Sequence, residues 1–196
     1  ENLTFAYFSM ELFLDPDIPT YAGGLGILAG DTIRTAADLG LSAVGVSLLH
    51  RKGYFQQHLD ASGNQWETEA KWSPEKLLEL MPPRVQVTIG GRQVQVQAWR
   101  YLVRSEIGHS VPVYLLDTAL PENSPWDQHL TDTLYGGDAR YRLSQEAILG
   151  LAGVAMLRAL GYHTVQAYHM NEGHSSLLTL ALMEEYTWGR GLHALS

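Results

Sequence analysis

The stretch Arg84–Arg100, RVQVTIGGRQVQVQAWR, leaves little choice of local structure. Val85, Val87 and Ile89 alternate with polar residues before Gly90-Gly91, and Val94, Val96 and Ala98 do so after it. A period of two puts the apolar side chains on one face of a strand, and a Gly-Gly pair tolerates the positive φ of a two-residue turn. The pattern predicts an antiparallel hairpin with one wet face, whose dry face needs an apolar layer from elsewhere in the chain.

That layer has candidates on both sides. Leu3–Met10 (LTFAYFSM), Leu41–Leu49 (LSAVGVSLL) and Val111–Leu116 are apolar runs of strand length. Runs without alternation suit strands buried on both faces of a parallel sheet. Glu11–Gly24, with Pro16, Pro19, Gly23 and Gly24, reads as a loop. Ile27–Leu39 has helical spacing at Leu28, Ile33, Ala36 and Ala37, and Gly40 stands where a C-terminal cap belongs. Pro121–Asp138 reads as a second loop, Tyr141–Leu160 as a long, largely buried helix ended by Gly161, Thr164–Tyr168 as a short strand, and Ser175–Tyr186 as another apolar helix. The order β-α-β, hairpin, β, α, β, α predicts an α/β domain carrying an antiparallel insertion. It divides into a β-loop-α-β unit over 3–60, the hairpin and following strand over 84–117, and a closing part over 134–186. There is no internal repeat.

Composition narrows the function classes. The 196 residues suit one domain, and 45% hydrophobic against 17% charged residues is the make-up of a packed core. A formal charge of −8 offers no basic field for duplex phosphates, so no nucleic-acid partner is expected. With no cysteine, a disulfide framework, a thiolate metal site and a cysteine nucleophile are excluded. No apolar run is long enough to span a membrane, and Glu1-Asn2-Leu3-Thr4 has no basic leader. Both ends, the second being Gly191–Ser196, break off beside an apolar run, and we expect a piece of a longer chain.

Four stretches can carry chemistry. In Tyr21–Asp31 (YAGGLGILAGD), Gly23, Gly24 and Gly26 precede a helix. Their N–H groups and the positive end of the helix dipole suit a phosphate or other anion. Gly24-x-Gly26-x-x-Ala29 also spells a dinucleotide fingerprint, but no strand leads into it, and the next strand ends in Leu48-Leu49-His50 without an acidic ribose ligand. The glycines equally suit a tight helix–sheet approach.

In Tyr168–His174 (YHMNEGH), polar residues stand at a strand end, where open α/β sheets bind ligands and where they meet sugar hydroxyls or phosphate oxygens. His169 and His174 lie five apart across a loop, which is not a zinc spacing, and no metal site is expected. The other reading is that Asn171 and Glu172 cap the next helix. Glu11 ends the first strand, free to orient a sugar hydroxyl or a water or to pair with an Arg. Arg140 and Arg142 open a helix against its dipole, which points to an anionic partner or to a salt bridge. Trp66, Trp72, Trp99, Trp126 and Trp188 suit sugar stacking or the core.

Together, Tyr7–Glu11 (YFSME), Ala22–Asp31, Arg51–Gln57 (RKGYFQQ), Asp117–Ser124 (DTALPENS), Leu134–Glu146 (LYGGDARYRLSQE) and Tyr168–Leu177 (YHMNEGHSSL) resemble, in this order, the N-terminal catalytic domain of α-glucan phosphorylases, and in particular their shorter prokaryotic branch. The resemblance spans nearly the whole chain. It implies a Rossmann-like parallel-sheet lobe, the N-terminal half of a two-lobed GT-B fold with the active site between the lobes. It implies transfer of a terminal glucosyl unit of an α-1,4-glucan to inorganic phosphate, giving glucose 1-phosphate with retention, in a cytoplasmic enzyme, with homo-oligomerisation left open. It also implies pyridoxal 5′-phosphate as cofactor, held as a Schiff base by a lysine of the C-terminal lobe.

Carried over, Gly23, Gly24, Leu25 and Gly26 match the glycine loop facing phosphate and glucosyl ring, and Glu11 the acidic residue near the substrate. Asn171, Glu172 and His174 match the Asn-Asp-x-His segment beside the sugar, with Glu in place of Asp. Glu11 and His174 are the catalytic candidates, and Arg142 joins the phosphate- and substrate-binding set. Ser144 stands where many relatives have Lys. None of Lys52, Lys71 and Lys76 sits in a cofactor motif, so this chain alone is expected to be inactive without the second lobe. A glycogen or starch synthase lobe also has a Gly-Gly-Leu loop, but with a preceding Lys-Thr pair where this chain has Tyr21-Ala22. A non-catalytic glucan-binding module is the third reading.

Overall fold

In the computed structural model, which describes residues 4–189, the strand Phe5–Ser9 pairs in parallel with Ala167–Asn171, which forms one edge of the main sheet. The strands are β1 (Phe5–Ser9), β2 (Ala43–Leu48), β3 (Gln56–Leu59), β4 (Gln65–Thr68), β5 (Glu79–Ile89), β6 (Arg92–Arg104), β7 (Ser110–Asp117) and β8 (Ala167–Asn171). The helices are α1 (Gly24–Asp38), α2 (Pro74–Leu77), α3 (Pro125–Gln128), α4 (Ala139–Ala147), α5 (Gly153–Ala159) and α6 (Leu178–Gly189). A six-stranded sheet runs β5-β6-β7-β2-β1-β8. Its β7-β2-β1-β8 half is parallel and its β5-β6-β7 half antiparallel. The chain is thus α/β with a mixed sheet.

Alternation along the strands sorts the core into two layers. Ala6, Phe8, Val44 and Val46 face Ile148, Leu149, Val154 and Leu157 of the helical run after α4. Tyr7, Val111, Val113 and Leu115 face Ile33, Ala36 and Ala37 of α1. Fully burying side chains of the size of Phe8 or Leu115 contributes about 1.5–3 kcal/mol each, so these two layers fix the strand register.

The hairpin forms as its alternation demands, with Gly90 at φ 54° and Gly91 at φ 76°. It extends the main sheet through the β6–β7 pairing and does not stand apart as an insertion. The separate two-stranded hairpin is β3–β4, which the sequence reading missed. Gly40, at φ 62°, closes α1 as expected, with the Leu41 N–H reaching the Ala36 carbonyl and its own N–H the Ala37 carbonyl.

Three expectations need correction. The helix expected from Ile27 begins at Gly24, so Gly24 and Gly26 belong to its first turn. The strand expected over 164–168 is β8 at Ala167–Asn171, because pairing with Phe5–Ser9 sets its register. The helix expected from Ser175 begins at Leu178, after a 3₁₀ turn at Gly173–Ser175. The long helix runs as α4, a π-helical segment Ile148–Ala152, and α5. Leu3, the side chain of Trp188 and Gly191–Ser196 lie outside the described residues.

Candidate functional site

The carboxyl ends of β1 and β8 lie side by side, Ser9 paired with Asn171, and the segment leaving β1 meets the turn before α1 through Glu11. Open α/β sheets bind ligands at this edge. Glu11, only 3% exposed, sits beneath the glycine turn. Its Oε2 accepts the N–H groups of Ala22 at 2.6 Å and Gly23 at 3.3 Å, and its Oε1 accepts the Tyr135 hydroxyl at 2.9 Å. Neither oxygen is bonded to an arginine among the described residues, so of the readings open at Glu11 the Arg pair is not made there.

This carboxylate explains where α1 begins. Gly23 is the N-cap with no side chain to cap the helix, and Glu11 takes the turn's N–H groups from eleven residues upstream. The next three, on Gly24, Leu25 and Gly26, meet no acceptor among the described residues. Each glycine has its own reason. A Cβ on Gly26 would lie 2.5 Å from Tyr21 Cβ and 2.9 Å from Glu11 Oε2, and one on Gly30 2.2 Å from the Phe13 carbonyl oxygen. Those two glycines serve the tight approach. A Cβ on Gly23 or Gly24 meets nothing within 4 Å, and neither has a positive φ. The chain's own packing therefore does not demand glycine at 23 and 24, and both are exposed.

The second stretch reaches the same edge. Asn171, 7% exposed, donates from Nδ2 to Ser9 Oγ at 3.0 Å, and that hydroxyl donates to the Glu11 carbonyl at 2.6 Å. It ties β8 to Glu11 and does not cap a helix. Glu172 is an exposed carboxylate without a hydrogen-bond partner, on a residue at φ 65°, one of only three positive-φ residues other than glycine among those described. Such strain clusters at functional sites. His174 places Nδ1 2.9 Å from Glu146 Oε1 and its ring 5.7 Å from that of Tyr135.

Tyr135, another positive-φ residue at 56°, is the functional candidate that sequence reasoning passed over. Burial, and then the bond to Glu11, push its phenol pKa upward, so it stays a donor. The signal for it was the pair Gly136-Gly137 after an aromatic residue, which marks a chain forced into an unusual turn. Arg142 donates to the Tyr135 carbonyl at 3.4 Å, and Arg140 lies 5.0 Å above the Trp126 ring. The expected salt bridge from this helix start is not formed among the described residues. Ser144 bonds back to the Arg140 carbonyl, a local helix contact.

Glu11, the glycine turn, Tyr135, Asn171 and His174 thus form one connected network, with Arg142 at its rim and Glu172 exposed, with no hydrogen bond to its carboxylate among the described residues. No lysine belongs to it, since Lys52 pairs with Asp132 at 3.3 Å and Lys71 and Lys76 face a different cleft. These residues fit an anion and sugar hydroxyls; they do not fit a cofactor held as a Schiff base. Among the described residues no group of three or more metal-ligating side chains gathers.

No protein-family model matches the chain. It is 39% identical over 201 residues to glycogen phosphorylase of Mycobacterium tuberculosis (strain ATCC 25618 / H37Rv), a match covering 95% of this chain and 22% of that protein. It is also 39% identical over 175 residues to maltodextrin phosphorylase of Thermococcus litoralis, covering 86% of this chain and 20% of that protein. By sequence the chain is similar, over nearly its whole length, to part of these α-glucan phosphorylases. A third phosphorylase relative, the glycogen phosphorylase of Aquifex aeolicus, is 31% identical over 95% of this chain and 28% of its own length. The chain thus spans about a fifth of the length of the first two relatives it matches.

Proposed function

We propose that this chain is the N-terminal lobe of a two-lobed, GT-B-type α-1,4-glucan phosphorylase, moving a terminal glucosyl unit to inorganic phosphate with retention to give glucose 1-phosphate, in the cytoplasm. The observation that carries the reading is the pair Gly23 and Gly24. They are glycines that the chain's own packing does not need, at an open helix start, inside a network that also holds Asn171 and His174. A ligand approaching the backbone accounts for them, and the similarity to phosphorylases supports reading that ligand as phosphate and sugar.

Three open N–H groups and a helix terminus worth about half an elementary charge attract phosphate to Gly24, Leu25 and Gly26. Glu11 is a positioning residue in this scheme. One oxygen holds the turn in place while the other is held by Tyr135, so the N–H groups are aimed before the anion arrives. Glu172 and Asn171 offer polar groups to sugar hydroxyls. A proton on His174 Nδ1, donated to Glu146, leaves Nε2 to accept a hydroxyl of the glucosyl ring. Such contacts orient the sugar and offset charge on an oxocarbenium-like species. Pyridoxal phosphate, the cofactor the reading implies, would supply a proton-relaying phosphate; this chain gives it no covalent anchor.

The test is phosphate-dependent release of glucose 1-phosphate from maltodextrin with pyridoxal phosphate added, for the chain alone and mixed with a separately produced C-terminal lobe. Activity in the mixture and none in the chain alone is the expected result. Gly24→Val in the same mixture should abolish release while the melting temperature stays unchanged, because its side chain fills only the anion's approach. No release from either arm, with both pieces folded, would overturn the reading and leave a glucan-binding module.

A further inference from the structure

Glu11 and Tyr135 share one hydrogen bond, and a second route through the fold joins the same two residues. The His50 ring places Nε2 2.9 Å from the Met10 carbonyl oxygen, next to Glu11 in the chain. A carbonyl only accepts, so Nε2 carries the proton and donates it. The His50 carbonyl accepts the Gly53 N–H at 2.7 Å, and the Gly53 carbonyl accepts the Leu134 N–H at 3.0 Å, one residue before Tyr135. Between them the turn runs along 131–134, with the Arg51 N–H on the Thr131 carbonyl at 3.3 Å and the Lys52 N–H on the Asp132 carbonyl at 2.8 Å. With the Tyr135 hydroxyl 2.9 Å from Glu11 Oε1, these bonds close a circuit.

Apart from Glu11 and Tyr135, His50 is the member of that circuit whose side chain makes a link; the other links are backbone groups that most residues offer. Its presence is locally unfavourable three times over. The imidazole is fully buried, its backbone is left-handed at φ 48°, and its Nδ1 has no hydrogen-bond partner among the described residues. An aliphatic side chain there would bury no orphaned nitrogen. Ser47 Oγ reaches the same Met10 carbonyl only at 3.4 Å, which leaves His50 the closer donor. His50 and Tyr135 are also two of the three positive-φ residues other than glycine among those described. Strain of this kind is kept where geometry serves a site.

We infer that His50 is a positioning residue for the anion. Its ring fixes Met10 and its carbonyl fixes Gly53, so together they set the spacing of Glu11 and Tyr135. Through Glu11 they set the aim of the N–H groups on Gly24, Leu25 and Gly26. Donors aimed in advance bind an anion without reorganising, and a small misplacement of the carboxylate beneath them turns them away. The inference rests on the phosphate reading above and names the buried residue that tunes it.

Amide NMR of the 196-residue chain, titrated with inorganic phosphate, tests it in wild type, His50→Asn and His50→Gln. Asparagine tolerates the left-handed backbone, but its amide falls short of the Met10 carbonyl. Glutamine carries an N–H out to the position of the imidazole Nε2 and keeps the bond. The expected result is phosphate-dependent shifts at Gly24, Leu25 and Gly26 in wild type and a dissociation constant about tenfold higher in His50→Asn, the size of one net hydrogen bond. His50→Gln should return to within about threefold of wild type. A merely structural role would lower the melting temperature of the variants and leave the affinity alone. Equal affinity in wild type and His50→Asn, or a folded His50→Gln as weak as His50→Asn, overturns the role of His50 while the phosphate reading stands. No phosphate-dependent shift in wild type overturns that role as well, and the glucose 1-phosphate assay then decides the phosphorylase reading separately.

Discussion

Tyr135 shows what a single hydroxyl does in this site. Its ring is half-buried between Tyr54 and His174, and its oxygen is, among the described residues, the only side-chain donor to the otherwise enclosed Glu11 carboxylate. Tyr135→Phe keeps the ring contacts and leaves Oε1 of Glu11 unpaired. An orphaned buried acceptor costs about 1–3 kcal/mol, so urea unfolding should shift by that amount. An unchanged midpoint would mean the carboxylate finds water and that the phenol does not hold it. Tyr135 and Glu172 were invisible as strained residues in the sequence because a left-handed backbone at Tyr or Glu has no compositional mark. Gly136 and Gly137 were the nearest trace.

Elements differed in how far local sequence decided them. The β5–β6 hairpin was legible because alternation and a Gly-Gly turn agree, and each can be tested at Gly90. Gly90→Asn should change stability by less than about 0.5 kcal/mol, since Asn tolerates φ 54°, whereas Gly90→Val should cost about 1–2 kcal/mol in the same denaturation. By contrast, α1 starts three residues early because its cap is Glu11, outside the window any helix rule reads. Likewise β8 takes its place from pairing with β1, so the β-branched Thr164 and Val165 that resembled a strand form the connection before it. The β3–β4 hairpin carries no apolar alternation at all. Its turn is held by Asp60, whose carboxylate accepts the N–H groups of Ser62 and Asn64, and only that acidic turn signalled it.

At the scale of the molecule, stability should carry the signature of His50. Burial pushes its pKa down to about 4 from 6.5, against a smaller opposing pull from the Met10 carbonyl. The unfolded chain therefore binds more protons than the folded one between those values, and stability falls as pH drops through that window. The full difference is on the order of 3 kcal/mol. His50→Asn tolerates the positive φ and removes the titration. Its melting temperature should fall less between pH 6.5 and 5 than that of wild type; parallel curves would assign the acid sensitivity to other groups.

The pairing of β1 with β8 also orders events in time. Ser9 and Asn171, hydrogen-bonded in the finished network, are 162 residues apart in sequence. Phe5–Ser9 can pair early with Ala43–Leu48, but its other partner, Ala167–Asn171, is made only when most of the described residues have been. Long-range parallel pairing of this kind closes slowly, after the entropy of a large loop has been overcome. The Ser9–Asn171 link therefore joins β8 to the Glu11 side of the network late in folding, after the contacts of Glu11 with the glycine turn and Tyr135 have become possible.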